Sequence, residues 1–195
     1  MGNSIRKCSL QNFVEYNFGK IKPYIEKITG DYQNRFRDGR SVIDNILVMI
    51  MMNEKIWGYN QIVQYLFIDF QKTCDSVHRD TLWKCMEEFK IPPKLINMHK
   101  TSVQKTRSAF GIEGTLSSFF ENKKGLKQDD PLSPILFNLA LQIVIQSIKM
   151  VPTGMKIGKE QLNVLANADD IALVGKNEIE IQQLFVEVEN IARKL

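Results

Sequence analysis

The stretch LNVLANADDIALV, from Leu162 to Val174, decides the fold. Two apolar runs surround a polar centre, which predicts a β-hairpin with Asp169 and Asp170 near its turn. An earlier run, QYLFIDF from Gln64 to Phe70, is rich in aromatic and β-branched residues. It predicts a strand in the interior of a sheet. If the hairpin and this strand are neighbours in one sheet, Asp69 meets the two acids of the hairpin.

Three carboxylates that converge in an apolar frame repel one another and lose hydration, and a divalent cation would compensate for both effects. Hard oxygen ligands of this type suit Mg²⁺ or Mn²⁺. A cluster that holds two such ions, about 4 Å apart, drives in-line phosphoryl transfer. The residues alone leave a second interpretation open, in which Asp169 and Asp170 are ordinary hairpin-turn residues without a metal-binding role.

The rest of the chain predicts a mixed α and β arrangement. We assign no firm structure to the first 18 residues. Ser41, Asp80 and Asn177 are candidate N-caps. The predicted elements are helices over 42–57, 81–89, 93–106, 133–149 and 178–193, and short strands with turns over 109–127.

Apolar spacing predicts which helix faces are buried. In the helix over 42–57 the apolar positions that share one face are Ile43, Ile46, Leu47 and Ile50. Trp57 and Trp83 are expected in the core, and His78 and His99 at the surface or at caps. The apolar run over 132–148 is interrupted by a polar stripe, so it predicts a buried helix and not a membrane span. That stripe consists of Asn138, Gln142 and Gln146.

Composition and charge are those of an ordinary globular protein. The 195 residues are 44% hydrophobic and 25% charged, with a formal net charge of +4, which permits a polyanionic partner without requiring one. The cysteines Cys8, Cys74 and Cys85 form an odd set without a CxxC pair. Together with the lack of a signal-peptide pattern, this predicts an intracellular protein of the nucleus or cytoplasm, not secreted and not in a membrane.

Four blocks of the sequence, taken in order, resemble motifs of the reverse transcriptases of non-LTR (LINE-type) retrotransposons. They are QNRFRDGRS over 33–41, FIDFQKTCDSV over 67–77, GLKQDDPLSPILFNL over 125–139 and LANADD over 165–170. The similarity extends from about Lys20 to Arg193. Each block alone is weakly specific, but four in the expected order are highly specific.

The resemblance implies an α+β fold, with a polymerase palm-like antiparallel sheet backed by helices. It further implies a partial fingers region and no thumb within the chain. Residues 1–19 stay unassigned, residues 20–60 would be a fingers-side remnant, and residues 61–195 would form the palm.

The resemblance also implies an RNA-directed DNA polymerase. A DNA primer 3′-hydroxyl would attack the α-phosphate of a deoxynucleoside triphosphate (dNTP) on an RNA template, with two Mg²⁺ or Mn²⁺ ions. Asp69, Asp169 and Asp170 match the three catalytic, metal-binding carboxylates of the family.

Five further residues match positions that contact the nucleotide or the template in the family. Phe70 would place its backbone near the triphosphate, and Gln128, Asp129 and Pro131 belong to a loop against the nucleotide and template. Cys74 stands where the family has an aromatic residue under the sugar, and Asp129 stands in place of a glycine.

Two other functions remain open. The first is a catalytically inactive remnant of a retroelement that retains at most nucleic-acid binding, which Cys74, Asp129 and Asn167 favour because they depart from the family pattern. The second is an unrelated structural or interaction domain in which the Asp-Asp turn is incidental.

Overall fold

A computed structural model describes residues 2–35, 37–70, 77–103, 107–108, 111–112, 115–118, 120–121, 125–126, 132–157 and 160–194. Its helices are α1 (Gly2–Ile28), α2 (Val42–Gly58), α3 (Arg79–Glu88), α4 (Pro93–Val103), α5 (Ser133–Met150) and α6 (Glu178–Ala192). Its strands are β1 (Gln64–Asp69), β2 (Arg107–Ser108), β3 (Gly111–Ile112), β4 (Thr115–Leu116), β5 (Phe120–Glu121), β6 (Met155–Ile157), β7 (Glu160–Leu162), β8 (Val164–Asn167) and β9 (Asp170–Gly175).

Among the described residues, the central sheet has three antiparallel strands in the order β1, β9, β8. The predicted hairpin is confirmed, because β8 and β9 are joined by a turn of Ala168 and Asp169. The interior position predicted for β1 is wrong: within the described residues β1 pairs with β9 alone and forms an edge. The rings of Tyr65 and Phe67 stack on each other at 6.3 Å between centroids. Tyr65 also packs, partly buried, against a cluster that includes Met52 and Val174, whereas Phe67 is exposed.

The two faces of this sheet differ, because successive side chains of a strand point to opposite sides. Leu66, Ile68, Ile171 and Leu173 pack into the main hydrophobic core with residues of α5 and α6. The opposite face carries Asp69, Asp170 and Phe67, all three of them exposed. Helices α5 and α6 therefore cover one face of the sheet. Helix α2 packs against the Val174 end of the other face, and the acidic end of that face is exposed.

Helix α5 is the centre of the core, as its apolar sequence predicts. It is long and apolar enough to cross a membrane by composition, but 67% of its residues are buried inside the protein. Two members of its polar stripe bind the chain near the end of α1: Asn138 Nδ2 donates to Arg35 O at 3.0 Å, and Gln142 Nε2 donates to Tyr32 Oη. Asn138 and Gln142 thus make buried polar contacts to a neighbouring segment, whereas the third member of the stripe, Gln146, is exposed.

Helix α2 begins as predicted but buries a different face. Ser41 is its N-cap, and Asp44 completes a capping box. The side chains that α2 buries are Asn45, Met52 and Ile56, and two of them join Met155 and Val174 in a second, smaller core. The face predicted to be buried is about half exposed and comprises Ile43, Ile46, Leu47 and Ile50.

Several local predictions are corrected by the structure. Residues 2–18 lie in α1, for which the sequence shows no clear apolar period. Trp57 is 85% exposed, whereas Trp83 is buried as predicted. Asp80 lies inside the first turn of α3, whose N-cap position is His78.

His99 is almost fully buried, although the sequence suggested a surface or cap position for it. The predicted short strands after α4 are confirmed as the pairs β2–β5 and β3–β4. The β6–β7 hairpin was not predicted. Nothing in the fold tests the division into residues 1–19, 20–60 and 61–195, which stays a prediction.

Candidate active site

The site begins with the pairing of two acids across the sheet. Asp69, the last residue of β1, is the register partner of Asp170, the first residue of β9. Residues directly opposite in an antiparallel pair have Cβ atoms about 5 Å apart and point to the same face. Residues far apart in the sequence therefore place two carboxylates side by side, and both side chains are exposed to solvent.

The third acid lies in the tight turn that precedes β9. Asn167 pairs with Asp170, so Ala168 and Asp169 are the two central residues of the turn. Ala168 has φ of 57°, whereas Asp169 does not have a positive φ. A positive φ at the first central residue alone is the pattern of a type II′ turn, which suits the right-handed twist of a hairpin. Asp169, which is partly buried, comes directly after the residue with positive φ, so the conformation of Ala168 determines where Asp169 lies.

Like-charge repulsion, more than loss of hydration, defines the electrostatics of this site. The sequence suggested acids deprived of water, but Asp69 and Asp170 are both exposed. Two carboxylates directly opposite on neighbouring strands destabilise the sheet. Mg²⁺ is commonly held by one or two carboxylates together with substrate phosphates, so the pair fits a hard divalent cation.

The described residues do not form a larger ready-made ligand set. Within the ranges that the structure describes, no group of three His, Cys, Asp or Glu side chains is arranged to hold a metal ion. What the fold brings together is the pair Asp69 and Asp170, with Asp169 adjacent in the chain. The described residues therefore bring two of the three expected carboxylates directly together, Asp69 and Asp170, and the metal-binding role of all three stays a prediction.

The remaining predicted site residues divide into two groups. Phe70 follows Asp69 directly and packs, partly buried, against the main core, so its backbone lies next to the acidic pair. Cys74, Gln128, Asp129 and Pro131 lie outside the described residues, and their roles stay predictions.

Sequence reasoning missed the segment that supports the turn. Tyr32, Gln33 and Asn34 run parallel to β8, with Ala166 N donating to Tyr32 O at 2.8 Å and Asn34 N donating to Ala166 O at 3.3 Å. The Gln33 side chain reaches the turn and binds Ala168. The sequence offered one indication of this role, because the adjacent uncharged amides Gln33 and Asn34 interrupt a segment that is otherwise basic.

Comparison with known proteins identifies the family. The family described as reverse transcriptase (RNA-dependent DNA polymerase) matches residues 10–195, which is nearly the whole chain. The chain belongs to the reverse transcriptase family. The resemblance to the reverse transcriptases of non-LTR retrotransposons is thereby confirmed, and similar proteins include Pol polyproteins of such elements.

Among these relatives, the Pol polyprotein from the type-1 retrotransposable element R2 of Popillia japonica is 29% identical over 128 residues, which cover 65% of this chain and 18% of the relative. The Pol polyprotein from the type-2 element R2DM of Drosophila melanogaster is 27% identical over 60% of this chain and 11% of its own length. The Xenopus laevis transposon TX1 149 kDa protein is 20% identical over 84% of this chain and 13% of its own length. The chain therefore spans less than a fifth of these relatives.

Solved structures support the fold. Telomerase from Candida tropicalis, in complex with a fragment of telomeric RNA, superposes with a TM-score of 0.65 at 10% identity, over 89% of this chain and 32% of that one. The corresponding Candida albicans telomerase gives a TM-score of 0.63 at 12% identity, over 95% of this chain and 31% of that one. The α+β, polymerase-like fold expected from the sequence is confirmed.

Proposed function

We propose that this chain is the nucleotidyl-transferring palm of an RNA-directed DNA polymerase from a non-LTR retroelement. The observation that carries the proposal is the register of Asp69 with Asp170 at the exposed end of a sheet, beside a hairpin turn that holds Asp169. Family membership supports the reaction class. The substrates proposed are an RNA template, a DNA primer and a dNTP.

The acidic pair suits the cation on which this chemistry depends. Asp69, Asp169 and Asp170 would together hold two divalent cations, Mg²⁺ or Mn²⁺. When bound, such ions lower the pKa of an attacking hydroxyl and neutralise charge on a leaving phosphate.

Among the described residues, the chain's own contribution is an exposed surface for the reacting groups, with the acids fixed by strand pairing. Strand β1 holds Asp69 in a fixed register, and the partly buried Phe70 anchors the chain directly after it. Beside the acids, the exposed ring of Phe67 offers an apolar surface on the same sheet face. We propose that a primer end and a nucleotide lie across this face, next to the carboxylates.

A second candidate function is nucleic-acid binding without catalysis. An open pocket of about 360 Å³ is lined by three lysines, Lys55, Lys156 and Lys176, together with Tyr59 and Met52. It lies near Gly175, at the opposite end of β9 from Asp170. Such a pocket favours a phosphate backbone whether or not the acidic pair is active.

Metal binding and primer extension separate these two functions. Mn²⁺ affinity is measured by calorimetry, and extension of a DNA primer on an RNA template is measured with dNTPs and Mg²⁺ or Mn²⁺. We expect the parent chain to bind Mn²⁺ and extend the primer, and Asp69→Asn and Asp170→Asn each to abolish both. Asp80→Asn, an exposed acid on α3, is the matched control and keeps both activities. A parent chain that binds RNA in a salt-dependent way but neither binds Mn²⁺ nor extends a primer would establish the second function instead.

An intracellular location remains part of the proposal. Cys85 is a buried free thiol. Burial raises its pKa to about 11, which keeps the thiol protonated and unreactive. A free, buried cysteine is compatible with a reducing compartment.

A further inference from the structure

The turn that carries Asp169 has a backbone conformation that its sequence does not favour. Ala168 has φ of 57°, in the left-handed region, where the Cβ of an L-residue crowds the backbone. Glycine is the usual residue at such a position. A conformation of this kind persists only where neighbouring contacts hold it.

Gln33 supplies those contacts. Its Oε1 accepts a hydrogen bond from Ala168 N at 2.9 Å, and its Nε2 lies 3.4 Å from Ala168 O, to which it donates. The same Oε1 accepts from Arg35 N at 3.1 Å. The Gln33 side chain is only 1% exposed, so water does not compete for these groups. One side-chain amide therefore binds both backbone polar groups of the residue with positive φ.

Gln33 is itself fixed to the same hairpin. The backbone on both sides of it binds Ala166, two residues before Ala168. Asn45 Nδ2 also donates to Ala166 O at 2.9 Å, and Asn34 Nδ2 donates to Asn45 Oδ1 at 2.7 Å. Helix α2, which carries Asn45, and the segment around Gln33 thus hold the end of β8 together.

We propose that Gln33 is a positioning residue that fixes the Ala168–Asp169 turn and so holds Asp169 in the turn and the carboxylate of Asp170 opposite Asp69. The inference rests on the proposed function in one respect, namely that these carboxylates bind the cation. It adds that a residue more than a hundred positions earlier in the chain sets the geometry of the metal site. The role proposed for Gln33 is to hold the turn and not to bind the metal or the substrate.

The direct test measures the backbone of Ala168 by NMR, in the full chain and without metal. The readouts are the coupling constant that reports φ and the rate of amide hydrogen exchange. In Gln33→Met, which keeps the length of the side chain and removes its hydrogen bonds, we expect φ to move toward negative values. We expect exchange of the Ala168 amide to accelerate about tenfold, the equivalent of one hydrogen bond. If Gln33→Met does not fold, Gln33→Asn is the second variant, because its amide is one methylene too short to reach the turn.

Mn²⁺ affinity and a rescue variant link the turn to the site. We expect Gln33→Met to weaken Mn²⁺ binding by about tenfold or more, as is typical for residues that orient metal ligands. Adding Ala168→Gly to Gln33→Met restores most of that affinity, because glycine adopts a positive φ without support. The matched control is Asn163→Leu. It removes a buried amide whose Nδ2 donates to Ile148 O at 2.9 Å, at the far end of β8. It lowers stability but leaves the Ala168 amide and Mn²⁺ affinity unchanged.

Failure of this inference and failure of the proposed function are distinguishable. An unchanged coupling constant and exchange rate at Ala168 in Gln33→Met would overturn the positioning role, even if the parent binds Mn²⁺. Equal effects of Gln33→Met and Asn163→Leu on the Ala168 amide would also overturn it, since they would indicate a general loss of stability. A parent chain without Mn²⁺ affinity would contradict the proposed function, while the NMR readouts would still decide whether Gln33 holds the turn.

Discussion

Asp69 and Asp170 face each other across two antiparallel strands, and each lies at the strand end next to the hairpin turn. Both side chains are exposed, so their mutual repulsion is partly screened by water and salt. The arrangement makes the sheet less stable than a neutral pair would. The fold thus tolerates a destabilising pair at the position where the sequence resemblance predicts metal ligands.

The first prediction concerns the stability of the metal-free chain. Asp170→Asn removes the repulsion, so we expect the free energy of unfolding to rise by about 0.5 kcal/mol at low salt. The gain becomes smaller at high salt, because salt screens exposed charges. Urea unfolding at low and high ionic strength measures both effects.

Addition of Mn²⁺ is expected to make the parent chain more stable than Asp170→Asn. The parent chain gains thermal stability on binding the ion, by about 2.7 kcal/mol at a hundredfold excess over Kd, whereas Asp170→Asn gains none. The control Asp80→Asn loses a small amount of stability, because an acid in the first turn of a helix is favourable. If Asp170→Asn destabilises the metal-free chain, the repulsive pair is not present in solution.

The second prediction uses the two tryptophans, which are opposite in exposure. Trp83 is 7% exposed and Trp57 is 85% exposed. We expect Trp83→Ala to lower the free energy of unfolding by about 3–5 kcal/mol and Trp57→Ala to change it by less than about 0.5 kcal/mol.

Fluorescence checks this assignment independently of stability. In Trp57→Ala the remaining tryptophan is buried, so its emission is expected at shorter wavelength than that of Trp83→Ala. Equal emission maxima for the two variants, both folded, would contradict the exposures in the structure.

The sequence predicted helix α2 but not the face that it buries. Apolar spacing identifies the stripe of Ile43 and Leu47, but spacing does not show whether another element lies against that stripe. The side that contacts the sheet includes Asn45, whose amide binds a backbone carbonyl of β8. Hydrophobic periodicity does not predict that a polar side chain is buried against a specific partner.

The sequence also predicted only part of the candidate site. Two apolar runs around a polar centre indicated the β8–β9 hairpin, and the aromatic and β-branched residues of QYLFIDF indicated the strand that joins it. The contribution of Gln33 could not be predicted, because its partner Ala168 is distant in sequence and the need for that partner arises from a backbone angle. Tertiary contact, more than local pattern, decides such a residue's role.

The third prediction concerns the start of helix α2. The Ser41 hydroxyl accepts from Ile43 N at 3.2 Å, and Asp44 Oδ2 accepts from Ser41 N at 2.8 Å. We expect Ser41→Ala to lower the free energy of unfolding by about 1 kcal/mol, as measured by urea unfolding. Ser41→Asp retains a capping oxygen and is expected to stay close to the parent. A loss in Ser41→Asp equal to that in Ser41→Ala would show that the cap does not stabilise the helix.

The fourth prediction is a pH dependence that originates at Cys85. Burial, with a smaller contribution from the charge of Glu88, raises the pKa of this thiol from 9.0 to about 11. A folded-state pKa above the unfolded value means that the folded chain holds the proton more tightly. The resulting stabilisation is complete below pH 9.0 and is lost as the pH rises through about 11.

We therefore expect the stability advantage of the parent over Cys85→Ala to shrink steadily across that range of pH. Urea unfolding of both chains at matched pH measures the difference in their free energies of unfolding. Burial also raises the pKa values of Tyr32 and Tyr65, but these groups titrate in both chains and so cancel in the difference. Below pH 9.0 the variant is less stable, because it leaves a small cavity in the core. A difference that stays constant from pH 9.0 to about 11 would mean that the Cys85 thiol ionises as easily in the folded chain as in the unfolded one.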